Sequence, residues 1–214
     1  MKKKILQSIV RILLRTITKT EYIDIENIPT QGGVIFAINH LSYVDTPLLL
    51  VNPVRPDITA LVTTKYEDKA FIGWFVRSAE GIWINRDVAD FSAIRDASKA
   101  LKKGLALGIA PEGTRSKTGK MQKAKPGTVM IALKTGAPIL PVGITGSETA
   151  LQDLAHFRRP RMTIRFGKPF TVPSFGPGNR SEGLHKWTHE LMRRIAALVP
   201  QSYRGIYEEE LRSN

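Results

Sequence analysis

His40 stands five residues before Asp45 in the stretch Asn39-His40-Leu41-Ser42-Tyr43-Val44-Asp45, and an imidazole with a carboxylate in reach is a proton-transfer pair. A five-residue step sets two side chains about 140° apart on a helix and on opposite faces of a strand. A bent strand-to-helix junction would let them meet, with His40 in the loop and Asp45 at the helix start, where Pro47 is tolerated in the first turn. Asp45 would then fix one ring nitrogen and leave the other free to take a proton from a hydroxyl. The same residues also fit a plain Ser42-x-x-Asp45 capping arrangement with His40 a satisfied loop residue.

A second stretch, Pro111-Glu112-Gly113-Thr114-Arg115-Ser116, follows the apolar run Leu105–Ala110. Loops beyond the carboxyl ends of strands in open α/β sheets are where ligands bind. Gly113 permits a tight turn, Thr114 and Ser116 offer hydroxyls, and the planar guanidinium of Arg115 suits a phosphate. Glu112 could hold that arginine or touch a substrate hydroxyl; a polar turn with a surface Glu–Arg pair is the simpler alternative. Two weaker signals are Arg86, just after Ile82–Ile84, and the proline-flanked apolar run Ala137-Pro138-Ile139-Leu140-Pro141-Val142.

The elements that must position these residues follow from apolar patterning. Tyr22–Ile25, Val34–Ile38, Ile58–Thr63, Ile82–Ile84, Leu105–Ala110, Ile139–Ile144 and Met162–Phe166 read as strands, Val34–Ile38 as one buried on both faces. Between them helices are predicted over Asp45–Leu50, Phe71–Ala79, from Asp90 as cap to Gly104, over Thr128–Lys134, and over Glu182–Leu198. Pro173–Asn179 reads as a loop. This alternation predicts a single α/β domain with a mostly parallel central sheet flanked by helices. Residues 3–19 add an N-terminal amphipathic helix. Lys4, Arg11, Arg15 and Lys19 share one stripe of it and aliphatic residues cover the rest, as at a membrane interface. The expected division is residues 1–20 as the interface helix and 21–214 as the catalytic domain. Packing of that helix on the domain is compatible if only part of its face is used.

Bulk properties narrow the partners. The chain has no cysteine, which excludes disulfides, thiolate zinc sites and a cysteine nucleophile. A net charge of +13 favours an anionic partner, whether nucleic acid, acidic lipid or a phosphorylated substrate. Zinc-finger spacing and aromatic-rich RNA motifs are missing from the sequence, so nucleic acid is not the expected partner. No apolar run reaches the eighteen or so residues of a membrane-spanning helix. Lys2-Lys3-Lys4 before Ile5 only superficially resembles a signal peptide: Gln7, Ser8 and Arg11 interrupt the apolar region and no small-residue cleavage site follows.

Taken together, the four stretches resemble the glycerolipid acyltransferase family typified by 1-acylglycerol-3-phosphate acyltransferase. Its N-H-x-S-x-x-D, G-x-x-F-I-x-R, F-P-E-G-T-R-S and V-P-I-x-P-V blocks recur here in order between Asn39 and Val142. Trp83, Asn85 and Ala110 depart from the family pattern, where phenylalanine, aspartate and phenylalanine are usual. The resemblance implies His40 as general base with Asp45 as its partner. It implies Arg86, Glu112, Gly113, Thr114 and Arg115 as the acyl-acceptor site, and Pro141 near the acyl donor or in the core. The implied reaction moves a fatty acyl group from acyl-CoA or acyl-carrier protein to the sn-2 hydroxyl of a lysophosphatidate-type acceptor, giving phosphatidic acid in phospholipid biosynthesis. No prosthetic group or metal is expected, and the expected place is the cytoplasmic face of an anionic membrane. The rivals are another acceptor (glycerol 3-phosphate, a different lysophospholipid or a glycolipid) and a silent lipid- or nucleic-acid-binding domain.

Overall fold

In the computed structural model, which describes residues 2–88, 90–176 and 179–212, the chain opens with helix α1 (Lys2–Ile17) and strand β1 (Lys19–Ile23). Next come β2 (Val34–Ile38), α2 (Asp45–Leu50), β3 (Thr59–Thr63), α3 (Ala70–Ser78), β4 (Ile82–Ile84) and α4 (Phe91–Lys102). The remainder is β5 (Ala106–Ile109), α5 (Gly127–Thr135), β6 (Ile139–Thr145), α6 (Ala150–Ala155), β7 (Arg161–Phe166), α7 (Arg180–Ala196) and α8 (Glu208–Arg212). The strands form one sheet in the order β1-β7-β6-β2-β5-β3-β4. Strands β6, β2, β5, β3 and β4 run parallel, as the alternation predicts. Strand β7 runs antiparallel to β6, and β1 lies parallel to β7 at the edge.

Strand β2 is buried along its whole length because both sheet faces are covered. Val34, Phe36 and Ile38 enter one core layer with Leu6, Val10 and Leu14 of α1 and Leu48 to Leu50 of α2. Ile35 and Ala37 enter the other, with Ala97 and Leu101 of α4, Val129, Ile131 and Ala132 of α5, and Leu191, Met192 and Ile195 of α7. Residues of β7 alternate instead, with Met162, Ile164 and Phe166 inward and the residues between them more exposed. Local chemistry sets the helix ends. Asp90 caps α4 by accepting from Ala93 N–H at 3.0 Å, and Gly136 closes α5 with a left-handed backbone.

Helix α1 docks through Leu6, Val10 and Leu14 and leaves Ile5, Ile9, Ile12 and Leu13 exposed. Lys19 lies beyond the helix, as the first residue of β1, so only Lys4, Arg11 and Arg15 belong to the basic stripe. No helix among the described residues is long and apolar enough to cross a membrane. The Pro173–Asn179 loop is irregular through Gly176; Pro177 and Gly178 lie outside the described residues.

Candidate active site

The parallel strands end along one edge of the sheet, and there the chain leaves β2 for α2. Asn39 makes the turn possible. Its buried amide donates to Ile144 C=O at 2.9 Å and accepts from Ile144 N–H at 2.7 Å, satisfying β6 with a side chain once the β2 backbone has turned away. His40 and Asp45 meet across this bend. His40 Nδ1 lies 2.8 Å from Asp45 Oδ2, with the imidazole 16% exposed and the carboxylate fully buried. The same oxygen accepts from the N–H groups of Leu41 and Ser42, each at 2.8 Å, and Ser147 Oγ donates to Oδ1 at 2.6 Å.

Asp45 is thus both a brace for the turn and the hydrogen-bond partner of His40, while the cap of α2 is Val44, with no side-chain cap bond. An acceptor carboxylate puts the ring proton on Nδ1 and leaves Nε2 with its lone pair. Ser147 is a site residue that the sequence reading missed. It follows Gly146 at the carboxyl end of β6, the same topological position that singled out residues 111–116. Gly146 is required there: its φ is +77°, and a Cβ would lie 2.1 Å from Arg161 C=O.

The loop after β5 packs against this turn. Ser116 N–H donates to His40 C=O at 2.8 Å, and His40 N–H donates to Glu112 Oε1 at 3.2 Å. Glu112 Oε2 accepts from Gln122 N–H at 3.0 Å, so this buried carboxylate ties the loop to the histidine turn. Neither of its oxygens bonds an arginine among the described hydrogen bonds. Gly113 turns with φ +72° and its carbonyl accepts from Arg86 Nη1. Arg115 stacks on the Tyr43 ring at 3.5 Å from the centroid and donates from Nη2 to Tyr66 Oη at 3.0 Å. The stacked, partly exposed guanidinium keeps further N–H groups for a bound anion. Thr114 lies exposed beside it. Pro141 sits buried in β6, paired with Ala37 of β2, so it belongs to the core. Tyr66 and Gln122 gave no signal in the sequence, because their roles come entirely from which loops the sheet brings together.

Burial pushes the Glu112 carboxyl up to about 7, against the hydrogen bonds from Gln122 and His40 that pull it down. Its folded pKa exceeds the ordinary 4.5, so this group's stabilisation is complete below pH 4.5 and is lost as pH rises through about 7. The wild-type melting temperature should therefore fall between those limits relative to Glu112→Gln, which does not titrate. Melting curves of both proteins from acid to mildly alkaline pH check this, and a pH-independent difference contradicts it.

An Asp–His pair with a buried carboxylate is thus joined to an arginine-bearing loop at the carboxyl edge of a mostly parallel sheet in an α/β domain. The family profile described as Acyltransferase matches residues 19–145, so the chain belongs to the acyltransferase family and is an O-acyltransferase. It is 29% identical over 173 residues to the 1-acyl-sn-glycerol-3-phosphate acyltransferase of Bacillus subtilis, a match covering 81% of this chain and 84% of that one. Identity to the enzyme of the same name from Borreliella burgdorferi is 33% over 119 residues, a match covering 55% of this chain and 47% of that one. The crystal structure of the 1-acyl-sn-glycerophosphate acyltransferase PlsC from Thermotoga maritima superposes with a TM-score of 0.71 at 25% identity, covering 99% of this chain and 80% of that one.

Proposed function

We propose that the protein transfers a fatty acyl group from acyl-CoA or acyl-carrier protein to the sn-2 hydroxyl of 1-acylglycerol 3-phosphate, forming phosphatidic acid at the cytoplasmic face of a membrane. The observation that carries this reading is the splice between base and anion loop, in which Ser116 N–H holds the His40 carbonyl at 2.8 Å. It sets a lone-pair nitrogen and a phosphate-type guanidinium on one rigid turn.

In this reading Arg115 meets the acceptor phosphate, with Thr114 beside it and Arg86 holding the Gly113 carbonyl. His40 Nε2 takes the proton of the hydroxyl as its oxygen attacks the thioester carbonyl carbon. Asp45 stabilises the imidazolium that forms. Collapse of the tetrahedral adduct breaks the C–S bond, and the imidazolium returns its proton to the departing thiolate. Proton transfer and addition need no prosthetic group or metal. Helix α1 lies on the bilayer with Ile5, Ile9, Ile12 and Leu13 in the acyl boundary, where Lys4, Arg11 and Arg15 can reach lipid phosphates.

Thioester consumption measured across lysophosphatidate, glycerol 3-phosphate, other lysophospholipids and a glycolipid tests the acceptor. Lysophosphatidate is expected to give the highest kcat/KM, and a preference for an acceptor without phosphate refutes the assignment. Arg115→Ala should raise KM for lysophosphatidate by roughly 10- to 100-fold, the loss of a charge-assisted contact, and leave the donor KM nearly unchanged. Equal increases for both substrates place Arg115 in support of the loop only.

A further inference from the structure

Helix α6 ends in a cap that glycine usually closes. Phe157 N–H donates to Leu154 C=O at 3.0 Å and Arg158 N–H to Asp153 C=O at 2.8 Å, the paired bonds of a Schellman motif. The residue at its centre must take a left-handed backbone, and Phe157 does so with φ +56°. A Cβ is disfavoured there, and the side chain recovers nothing from packing: Phe157 is 100% exposed. Folding alone gives no reason for an aromatic ring at this position.

The surroundings of the ring point to what it meets. His156, Arg158, Arg159 and Arg161 flank it and are all exposed, while Asp153 is the one acid between Ala150 and Phe166. Arg159 Nη2 donates to the carbonyls of Arg15 at 2.9 Å and Thr18 at 2.7 Å, tying the turn to the end of α1. Strand direction gives the turn its place. Because β7 runs antiparallel to β6, its first residue Arg161 lies at the carboxyl end of β6, the edge that carries His40 and Ser147. Strand β1 is parallel to β7, with Lys19 paired to Arg161, so α1 also ends at that edge.

We propose that Phe157 and its basic collar form an anchor for an anionic bilayer, inserting the ring below headgroup level while His156, Arg158 and Arg161 contact lipid phosphates. The collar has one sign of charge and continues into α1, whose outward face exposes Ile9, Ile12 and Leu13. A lone ring with cationic flanks suits a fluid acyl boundary, which needs no complementary pocket, better than a folded protein surface. The anchor pins the catalytic edge of the sheet to the membrane from the side opposite α3 along α1. The inference rests on the reading above that the acceptor is a lipid.

The absence of cysteine makes the test direct, because Phe157→Cys accepts a single environment-sensitive fluorophore. With vesicles of phosphatidylglycerol and phosphatidylcholine its emission should rise and shift to the blue, and spin-labelled acyl chains should quench it; phosphatidylcholine alone should do neither. Phe157→Gly should melt no lower than wild type, since glycine suits the turn, yet bind the anionic vesicles about tenfold more weakly, the loss of one partly inserted ring. Unchanged emission on vesicles that sediment the protein overturns the proposal, as does wild-type affinity in Phe157→Gly. A lower melting temperature for that variant also overturns it, because the ring then packs on the protein. Turnover of a short-chain, water-soluble acceptor reads the chemistry separately. If it is lost in the wild type, the acyl-transfer reading fails, whatever the fluorophore reports.

Discussion

His40→Ala should lower turnover by roughly 10²–10⁴-fold, the usual worth of a positioned base, while the melting temperature stays close to that of the wild type. The imidazole is held by a single bond to Asp45, and the backbone N–H and C=O of residue 40, which tie the two loops together, survive the substitution. Steady-state thioester assays with lysophosphatidate, paired with thermal melts, measure both quantities. Near-normal turnover in a folded His40→Ala protein would remove the base from the mechanism and leave the anion loop as the sole functional feature.

Asp45→Asn should produce a comparable loss of turnover together with a loss of stability. The carboxylate accepts from His40 Nδ1, Leu41 N–H, Ser42 N–H and Ser147 Oγ, and is itself fully buried. An amide offers one acceptor oxygen; with that oxygen in the Oδ2 place its NH₂ faces Ser147 Oγ, whose hydroxyl can accept, so the bonds can be kept while the negative charge is lost. We expect turnover to fall by roughly 10²–10⁴-fold, as when the orienting acid of a triad is replaced. Stability should fall by about 1–3 kcal/mol, as charge-assisted bonds become neutral ones, and the melting temperature with it. Ser147→Ala deletes only the Oδ1 contact and should cost about 1 kcal/mol with a minor effect on rate. Rate and melting temperature measured on the same variant separate positioning from bracing. A variant that only melts earlier, with its rate unchanged, would make Asp45 a turn brace.

What the sequence disclosed was the part encoded locally. Val34–Ile38 and Ile82–Ile84 are strands over those same residues, because a run of five apolar residues, or three set between turns, needs no partner to be recognised. Asp90 and Gly136 mark helix ends for equally local reasons. Other boundaries shift by a residue or two; the first strand begins at Lys19, three residues before the expected Tyr22, because its ladder is set by Arg161 of β7, far along the chain. Helix α6 went unseen since six residues with only Ala150 buried leave no periodic stripe. The reversal of β7 was likewise invisible, as pairing direction depends on a connection and not on composition. At the site, the sequence singled out His40, Asp45 and Arg115 as candidates, but the inward turn of Glu112 depends on Gln122 ten residues away, and the stacking of Arg115 depends on Tyr43 and Tyr66 in other loops.

The doubled splice between the histidine turn and the arginine loop has a geometric meaning of its own. His40 gives its N–H to Glu112 and its C=O to Ser116, so residue 40 is hydrogen-bonded to the arginine loop on both sides of its backbone. The backbones that carry imidazole and guanidinium are consequently the arms of one caliper, unable to drift apart without breaking interloop bonds. Under the proposed function, an acceptor gripped by its phosphate at one jaw presents to the other whichever hydroxyl lies the right number of bonds away. Choice among hydroxyls then becomes a measurement of length, made before any atom of the acyl chain is read.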